Sequence, residues 1–320
     1  MDIRKLYIIG NGFDLHHDIK SGYSHFSNWL KENHHAVYQK IVNLYGEEIA
    51  NWDWWNDFET NLGYFNIREK IEHYSWLNQP SDEDLEKMRS IETMGGAWDI
   101  QIYVGETIED IKQCFHKWVD SLSPAKRELK IHLDSEDSYY INFNYTLTLE
   151  NAYDINPKRI CHIHGSINDD EYIIGHGRSE NDIIEETEPY IEPYNSQLDP
   201  SEHGIDSLED EITENAKKEM INQVLSIQKP VEEIISKLQS KLKSFNNVEA
   251  LNIFGLSFSD VDQPYLQCIF ESIPQTASLT ISYYSKKDLE RIEKFMCDYT
   301  FKYKCVRLKE LQLAKQLELF

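Results

Sequence analysis

The sequence predicts an α/β protein with a doubly wound parallel sheet and a large helical insertion. Short apolar runs typical of buried strands alternate along the chain with segments of helical spacing. Several of these runs end at a glycine, which is typical of a strand that leads into a tight turn. Strands separated by helices form units with parallel neighbours, and such sheets bind ligands at the carboxyl ends of their strands.

The predicted strands are short and rich in β-branched and aromatic residues. The first is the apolar run that stops at Gly10, and the run that reaches Gly255 has the same character. We predict strands at residues 4–9, 138–143, 159–165, 171–177, 249–255 and 278–284, with 303–308 as an edge strand.

The predicted helices are recognised by apolar residues that recur every three or four positions. We predict helices at residues 23–44, 51–62, 98–122, 208–243 and 286–300, followed by a short C-terminal helix. The section 23–124 is therefore a wholly helical insertion. We interpret residues 1–320 as a single α/β domain, with 178–245 as a second insertion made of an acidic loop and a helix.

Acidic residues are concentrated in the second insertion. From Glu180 to Glu214 there are many carboxylates and neither lysine nor arginine. We interpret this segment as a solvated loop, and the alternative is a surface for a basic partner protein. The whole chain has a formal net charge of −24, which disfavours nucleic acid as a ligand because nucleic acids attract basic surfaces.

The composition is that of a folded cytoplasmic protein without membrane contacts. Hydrophobic residues make up 40% of the chain. No apolar run approaches the roughly 18 residues of a membrane helix, and the N-terminus lacks the cleavage site of a signal peptide. The five cysteines are scattered without a C-x-x-C pair, so neither a disulfide framework nor a cysteine-ligated zinc module is expected.

The first predicted strand leads into a turn with two glycines. The turn reads Gly10-Asn11-Gly12-Phe13-Asp14. Glycines let the backbone turn sharply and approach a phosphate, and the N-terminus of the next helix favours negative charge. The pattern departs from G-x-G-x-x-G because Leu15 occupies the third glycine position. The alternative is a tight strand-to-helix turn without a ligand.

Two further strand ends carry an amide and two imidazoles. Asn144 follows one strand, and its side chain can bond a ribose or cap the next helix. His162 and His164 are two residues apart, which places both imidazoles on one face of a strand. The histidine beside Gly165 is a candidate general base near neutral pH. The alternative is a metal site with His176 as third ligand, but no carboxylate or cysteine stands at suitable spacing, so no metal is expected.

A glycine and a hydroxyl follow the strand predicted at 249–255. Backbone amides near Gly255 and the hydroxyl of Ser257 can hold a phosphate. The alternative is another turn, with Ser259 or Asp260 as the cap of the next helix. The four strand ends together supply glycine, amide, imidazole and hydroxyl groups, a combination that favours a dinucleotide site for a ligand such as NAD over four unrelated turns.

The motifs around these residues resemble a known family. In chain order they are GNGFD (10–14), W-x-x-FE-x-x-L (55–62), FNYT-x-x-x-E (143–150), IHG (163–165), IIGHG (173–177) and FGLSFSDVD (254–262). From Lys5 to about Phe295 the chain resembles the AbiH family of abortive phage-infection proteins. It departs after Leu15, where the family tends to have an H-G-x-P-T-like run and this chain reads His17-Asp18-Ile19-Lys20-Ser21.

The AbiH family is similar to the sirtuin-like, Rossmann-like NAD-binding superfamily, and the resemblance implies which residues hold phosphates. Gly10 and Gly12 match the glycines of the phosphate loop, and Gly255 and Ser257 match a later G-x-S loop. The zinc ribbon of sirtuin deacetylases is absent, so protein deacetylation is not expected.

The same resemblance implies the catalytic residues. His164 matches the catalytic histidine of the H-G motif and would act as a base toward a ribose hydroxyl or water. Asn144 matches the asparagine near the nicotinamide ribose and would position that group. Thr146 stands where the superfamily has an aspartate, which implies a different recognition of nicotinamide.

The remaining predicted contacts lie beside these motifs. Asn11, Phe13, Asp14, Thr146 and Gly165 complete the predicted nucleotide-binding residues, with Glu59, His17 and Asp260 as further candidates. Asp14 or Glu59 would touch a ribose or stabilise positive charge. For Glu59 the alternative is a helix that packs its aromatic neighbours against the sheet.

The resemblance implies an anti-phage abortive-infection protein that binds NAD and hydrolyses it to nicotinamide and ADP-ribose. Free consumption of NAD would poison the host cell, so we expect a gate, either a homo-oligomer or a phage-derived trigger. Residues 23–124 and 180–214 are the candidate segments for it. One alternative is a non-catalytic sensor of NAD or ADP-ribose, and another is a histidine-ligated metal hydrolase.

Overall fold

The structure is a computed structural model, and the chain in it divides into two compact units. It describes residues 3–77, 95–170, 172–187, 203–245 and 247–312, without the side chains of 74–77 and 203–211. Unit 1 consists of Met1–Trp29, Phe115–Ile173 and Pro230–Phe320. Unit 2 consists of Leu30–Cys114 and Ile174–Lys229.

The described part of unit 1 contains a sheet in which every strand pair is parallel. The strands are β1 (Lys5–Ile9), β2 (Ser138–Asn142), β3 (Ile160–His162), β4 (Ala250–Phe254), β5 (Ser278–Ser282) and β6 (Tyr303–Val306). Their order across the sheet is β3-β2-β1-β4-β5-β6. This is the order of doubly wound nucleotide-binding sheets, and it confirms the predicted fold class. The strand order reverses between β1 and β4, which makes their carboxyl ends the topological switch point.

The helices begin and end as follows. They are α1 (Asn11–His16), α2 (Tyr23–Asn33), α3 (His35–Tyr45), α4 (Trp52–Asn56), α5 (Phe58–Asn61), α6 (Ile67–Leu77), α7 (Gly95–Ile100), α8 (Glu106–Asp120), α9 (Thr148–Tyr153), α10 (Glu180–Thr187), α11 (His203–Leu225), α12 (Val231–Leu242), α13 (Gln263–Ser272) and α14 (Lys286–Met296). A π-helical turn at Gln101–Gly105 separates α7 from α8. Among the described helices, none has the length and hydropathy of a membrane span.

The core of unit 1 covers both faces of the sheet, because successive residues of a strand point to opposite sides. On one face Ile8 of β1 belongs to the same cluster as Ile253 of β4, together with apolar residues of α12, α13 and α14. On the other face Tyr7 and Ile9 belong to a cluster with Phe254. A sheet that is buried on both faces explains why its strands read as continuous apolar runs.

Several predicted elements are interrupted. The predicted helix 23–44 is two helices separated at His34, and the predicted helix 208–243 ends at Leu225 and resumes after Pro230, since proline cannot continue a helix. The predicted strand 171–177 is wrong for its described residues, which contain only an isolated bridge between His176 and Gln228. Gly175 there has φ +157°, and a Cβ on it would lie 1.9 Å from the carbonyl oxygen of Ile227.

The two units differ in extent from the predicted insertions. Residues 23–29 and 115–124 lie in unit 1 with the sheet, as do 230–245. The reason is local packing: the ring of Phe26 contacts the rings of Phe115 and Trp118. The acidic segment predicted to be a loop contains α10 and the start of α11, and its residues 188–202 lie outside the described part. The C-terminal segment forms a 3-10 turn at Leu308–Leu311, and residues 313–320 lie outside the description.

Candidate functional site

The register of the sheet aligns the predicted strand ends along one edge. Ile9 pairs with Asn142 on one side and with Phe254 on the other, and Asn142 pairs with His162. Because the strands are parallel, the residues that follow each of them emerge together at the carboxyl edge. The turns after β1, β2, β3 and β4 therefore form one continuous region, which we call the strand-end site.

Two glycine turns pack against each other in this site. The amide of Gly10 donates to the carbonyl oxygen of Phe254 at 2.9 Å, and the amide of Gly12 donates to the carbonyl oxygen of Gly255 at 2.7 Å. A Cβ on Gly12 would lie 2.9 Å from the Cα of Gly255. Gly255 has φ +72°, and a Cβ on it would lie 2.0 Å from the amide nitrogen of Phe13. These positions therefore require glycine because the two backbones touch.

Asn11 and His17 hold the ends of α1. The Asn11 amide donates to the carbonyl oxygen of Ser21 at 3.0 Å, and the hydroxyl of Ser21 donates back at 2.5 Å. The buried imidazole of His17 bonds the carbonyl oxygen of Phe13 and the hydroxyl of Tyr153, each at 2.7 Å. Burial lowers the pKa of His17 to about 4, so the ring is neutral at pH 7. Both ring nitrogens serve the fold.

Asp14 is fully buried and ties α1 to the turn after β2. Its carboxylate accepts hydrogen bonds from the hydroxyls of Thr146 at 2.5 Å and Thr148 at 2.8 Å. Burial raises the pKa of Asp14 to about 6, although hydrogen bonds from the two threonines and Asn144 oppose the rise. Asp14 and Thr146 thus face each other, and neither side chain is exposed to solvent by more than 8%.

Asn144 is held on three sides. Its amide nitrogen Nδ2 donates to the carbonyl oxygen of Gly10 at 3.2 Å. Its main-chain NH donates to Oδ1 of Asn142 at 3.1 Å, and its main-chain carbonyl oxygen lies 3.1 Å from Nδ1 of His162. Only 5% of the residue is exposed. Asn144 therefore connects the turn after β1 with the end of β3.

His162 forms a pair with Glu150 that the sequence did not predict. Nε2 of His162 lies 2.8 Å from Oε1 of Glu150, and their side chains are 13% and 14% exposed. Burial alone lowers the pKa of His162, but the hydrogen bond and charge of Glu150, the Asn144 carbonyl and the charge of Asp169 outweigh it and raise the pKa overall. The second carboxylate oxygen of Glu150 is buried without a hydrogen-bond partner in the described part of the chain.

His164 lies deeper than its predicted catalytic role requires. Its imidazole packs edge-on against the rings of Phe143 and Tyr265, and 3% of the residue is exposed. Its carbonyl oxygen accepts the amide hydrogen of Ile173 at 2.8 Å. Gly165 follows with φ +81°, a backbone conformation that favours glycine.

Ser257 is the exposed hydroxyl of the site. Its Oγ lies 3.4 Å from Oδ2 of Asp262, which also accepts a 3.0 Å hydrogen bond from Ser259. Asp262 is the residue that precedes α13, and Asp260 is exposed and accepts a hydrogen bond from the Gln263 side chain. The predicted helix cap at Ser259 or Asp260 therefore lies two or three residues too early.

The turn after β4 is also tied to the next strand. The amide of Gly255 donates to the hydroxyl of Ser282 at the end of β5, at 2.7 Å. Hydrogen bonds thus connect Glu150, His162, Asn144 and Gly10 in series, join the turns after β1 and β4, and link Gly255 to Ser282. Among the residues predicted to contact the nucleotide, leaving aside the further candidates, Asn11, Gly12, Gly165 and Gly255 are partly exposed and Ser257 is exposed. The side chains of Asn144, Asp14 and His164 are buried.

Glu59 and His176 belong to unit 2 and have structural contacts there. Glu59 Oε1 lies 2.9 Å from the ammonium of Lys229, whose side chain is 0% exposed. The buried ring of His176 bonds the carbonyl oxygen of Val224 at 3.0 Å and accepts the amide hydrogen of Arg178 at 3.2 Å. A Cβ on Gly63 would lie 2.7 Å from that ring. The motifs at 55–62 and 173–177 are therefore packed together within unit 2.

The metal-site alternative has no support in these contacts. Both nitrogens of His176 are engaged, and so are both nitrogens of His162. Across the described residues, no group of three or more histidine, cysteine or acidic side chains is placed to hold a metal ion.

Three residues of these contacts escaped the sequence interpretation: Glu150 as a partner of His162, Ser282 and Lys229. Glu150 belongs to the motif at 143–150, but its pairing with His162 depends on how α9 packs beside β3. Ser282 lies inside the strand predicted at 278–284 and is the last residue of β5, a position that the sequence did not mark. Lys229 stands between Gln228 and Pro230, and no pattern in that segment marks it as buried.

The comparison with known proteins gives the family. The protein family described as bacteriophage abortive infection AbiH matches residues 6–283, which is most of the chain. No curated protein matches the chain significantly. The family description indicates a role in abortive infection by bacteriophage. The motifs that meet in the strand-end site all lie inside the matched region, and the chain belongs to the AbiH family.

Proposed function

We propose that this AbiH protein binds NAD at the strand-end site and hydrolyses it to nicotinamide and ADP-ribose during abortive infection. The observation that carries the proposal is the strand order β3-β2-β1-β4-β5-β6, with two glycine turns in contact at the switch point between β1 and β4. Open parallel sheets of this kind bind nucleotides at that point. The resemblance of the surrounding motifs to the sirtuin-like superfamily supports NAD as the nucleotide.

The phosphate contacts fall to the exposed parts of the site. Gly12 and Gly255 let the two turns come together without side chains in between, and Ser257 adds an exposed hydroxyl. The amide of Gly12 already donates to Gly255, so it is the rest of these turns that would face the pyrophosphate. Small backbone turns can surround a phosphate closely because they lack bulky side chains.

The chemical step is assigned to the buried residues of the site, His164 and Asn144. Cleavage of the bond between nicotinamide and ribose develops positive charge on the ribose, as in other glycosidic reactions. In our proposal His164 takes a proton from a ribose hydroxyl or from the attacking water, and Asn144 positions that group. The imidazole of His164 is 3% exposed, so the proposal requires an activator that opens the site. An inactive resting state also protects the host cell.

The second candidate is a sensor that binds NAD or ADP-ribose without cleaving it. The burial of His164 and Asn144, together with the structural contacts of Asn144, favours this function. Thr146 in the position of the superfamily's aspartate points the same way. A sensor needs the exposed glycine turns and Ser257 but no general base.

The deciding experiment measures nicotinamide release from NAD by the purified chain, alone and with an extract of phage-challenged cells as the source of the activator, with ADP-ribose binding by calorimetry in parallel. The variants are His164→Ala and Asn144→Ala. The control is His132→Ala, because the His132 side chain is 72% exposed and lies away from the strand ends. Release that disappears in the two site variants and persists in the control supports the hydrolase. Binding without release, also in cells challenged with phage, supports the sensor, and neither binding nor release refutes both.

Ser257 gives a second, narrower test of the site. We expect Ser257→Ala to weaken ADP-ribose binding about tenfold, the loss of one hydrogen bond to a charged group. Ser259→Ala is the matched control, because the Ser259 hydroxyl is less exposed and lies closer to Asp262, at 3.0 Å against 3.4 Å for Ser257. Equal affinity of the two variants would argue against a phosphate at the turn after β4.

A further inference from the structure

We infer that Glu150 and His162 form a positioning pair that holds Asn144 in its working orientation in the nucleotide site. The inference rests on the proposed function, since it assigns a task to Asn144. Neither Glu150 nor His162 contacts the expected position of the nucleotide in our proposal. They act through the main chain of Asn144.

The geometry fixes the Asn144 peptide from both sides. Its NH donates to Asn142, and its carbonyl oxygen lies 3.1 Å from Nδ1 of His162. The other ring nitrogen of His162 faces Glu150 at 2.8 Å. Nδ1 of His162 also lies 3.4 Å from the side-chain amide nitrogen of Asn142, but the carbonyl oxygen of Asn144 is closer. A ring that donates both to this oxygen and to the Glu150 carboxylate carries two protons. With its backbone clamped in this way, Asn144 directs Nδ2 to the carbonyl oxygen of Gly10.

The charges around His162 favour that doubly protonated ring. Glu150 on α9, Asp169 in the turn after Gly165 and Asp14 on α1 are the charged groups that act on it. All three are carboxyl groups. The hydrogen bond and charge of Glu150, the hydrogen bond to the Asn144 carbonyl and the charge of Asp169 together outweigh burial, which disfavours a charged ring. Charge-assisted hydrogen bonds are shorter and stronger than neutral ones, so they suit a clamp.

His17 shows how the same chain holds a purely structural histidine. Both of its ring nitrogens are also engaged, but with a carbonyl oxygen and a phenol hydroxyl, and burial keeps that ring neutral. The pair beside Asn144 instead contains a carboxylate with one buried oxygen that has no hydrogen-bond partner in the described part of the chain. A buried carboxylate oxygen of this kind costs free energy, and the carbonyl and phenol partners of His17 carry no such cost. We take the costly arrangement as a sign of function.

The first test is independent of catalysis. Side-chain NMR of the full chain follows the titration of His162 in the wild type and in Glu150→Gln, with His132 as the internal control. We expect the pKa of His162 to lie above its ordinary value in the wild type and to fall in the variant, because the carboxylate that favours its charged form is gone. A wild-type pKa of His162 that is not raised above its ordinary value, or a titration unchanged in Glu150→Gln, overturns the inference.

The second test follows function in the same Glu150→Gln variant. We expect kcat for nicotinamide release to fall on the order of 10- to 100-fold with KM little changed, since a displaced positioning group slows the reaction more than it weakens binding. In the wild type the rate should fall as the pH rises through the pKa of His162, because the ring then loses a proton. This fall should be absent in Glu150→Gln. If the chain binds without cleaving, the affinity for ADP-ribose replaces the rate as the measured quantity. It should decrease as the pH rises through the pKa of His162 in the wild type, and not in Glu150→Gln.

The two tests separate failure of the inference from failure of the proposed function. Wild-type rate and pH profile in Glu150→Gln overturn the positioning role while the hydrolase stands. A wild type that neither binds nor cleaves NAD refutes the proposed function and, with it, any positioning of Asn144 for that ligand. In that case the NMR titration still reports whether the charged pair exists.

Discussion

The amide of Gly12 donates to the carbonyl oxygen of Gly255 across 2.7 Å, so the turn after β1 is bonded directly to the turn after β4. These strands are neighbours in space but are separated by most of the chain. The contact places both glycines at the switch point of the sheet. The contact also explains why each position is a glycine, whether or not a nucleotide binds there.

The first prediction concerns the stability that depends on Gly255. We expect Gly255→Ala to lower the free energy of unfolding by about 2–6 kcal/mol, with a left-handed backbone and overpacking as the two causes. The overpacking arises because the new Cβ would lie 2.0 Å from the Phe13 amide nitrogen. Urea unfolding measures the change.

Gly46 provides the matched control for this substitution. It has φ +86°, but a Cβ there meets nothing within 4 Å. Gly46→Ala should therefore lose only the conformational part, about 1–3 kcal/mol. If both variants lose the same stability, contact between the two turns is not what requires glycine at position 255.

The second prediction concerns the pH dependence that Asp14 creates. Its pKa is about 6 in the folded chain against 3.8 as the ordinary value. A raised acid pKa means that the folded chain holds the proton more tightly, so this contribution is complete below pH 4 and disappears as the pH rises through 6. Its size is on the order of 3 kcal/mol, for a shift of about two units. Asp14→Asn should remove this contribution, as measured by urea unfolding between pH 4 and 7.

The third prediction has the opposite sign and concerns His17. Burial lowers its pKa to about 4, so the unfolded chain takes up the proton first and stability falls as the pH drops from 6.5 toward 4. In the wild type this loss offsets the gain from Asp14. We expect His17→Gln to become relatively more stable on acidification and Asp14→Asn to become less stable. Parallel slopes of the two variants against pH would contradict the assignment.

The sequence was informative where the chemistry is local. The apolar run before Gly10 and the one before Gly255 were both recognisable as buried strands, and the turns after them contained the glycines that the packing requires. Their contact was not predictable, because it depends on strand order. The same limit explains why the pairing of His162 with Glu150 was missed. The sequence around His162 and the sequence around Glu150 contain no pattern that indicates a pair. Only the fold brings the two side chains together.

The error at 171–177 has a different cause. Its short apolar run and terminal glycine satisfied the strand pattern, but the pattern records burial and not hydrogen-bonding partners. In the structure His176 is buried and contacts Val224 in the last turn of α11, and its main chain bonds Ile227 and Lys229 between α11 and α12. Charge was equally misleading at Lys229. Lysine is normally exposed, and its burial beside Glu59 follows from a tertiary ion pair that no local pattern reveals.

The fourth prediction tests that ion pair between Glu59 and Lys229. Its lysine is 0% and its glutamate 15% exposed. Lys229→Met leaves the carboxylate without this partner, and we expect a loss of about 3–5 kcal/mol of unfolding free energy, as for other broken buried pairs. Glu59→Gln should also destabilise the chain, whereas the double variant should lose less than the sum, because methionine and glutamine leave no buried charge. The exposed pair of Lys286 and Glu290 is the control, with an expected coupling of about 0–1 kcal/mol. Additive losses in the double variant would show that the pair contributes no coupling and that each side chain acts through its own packing.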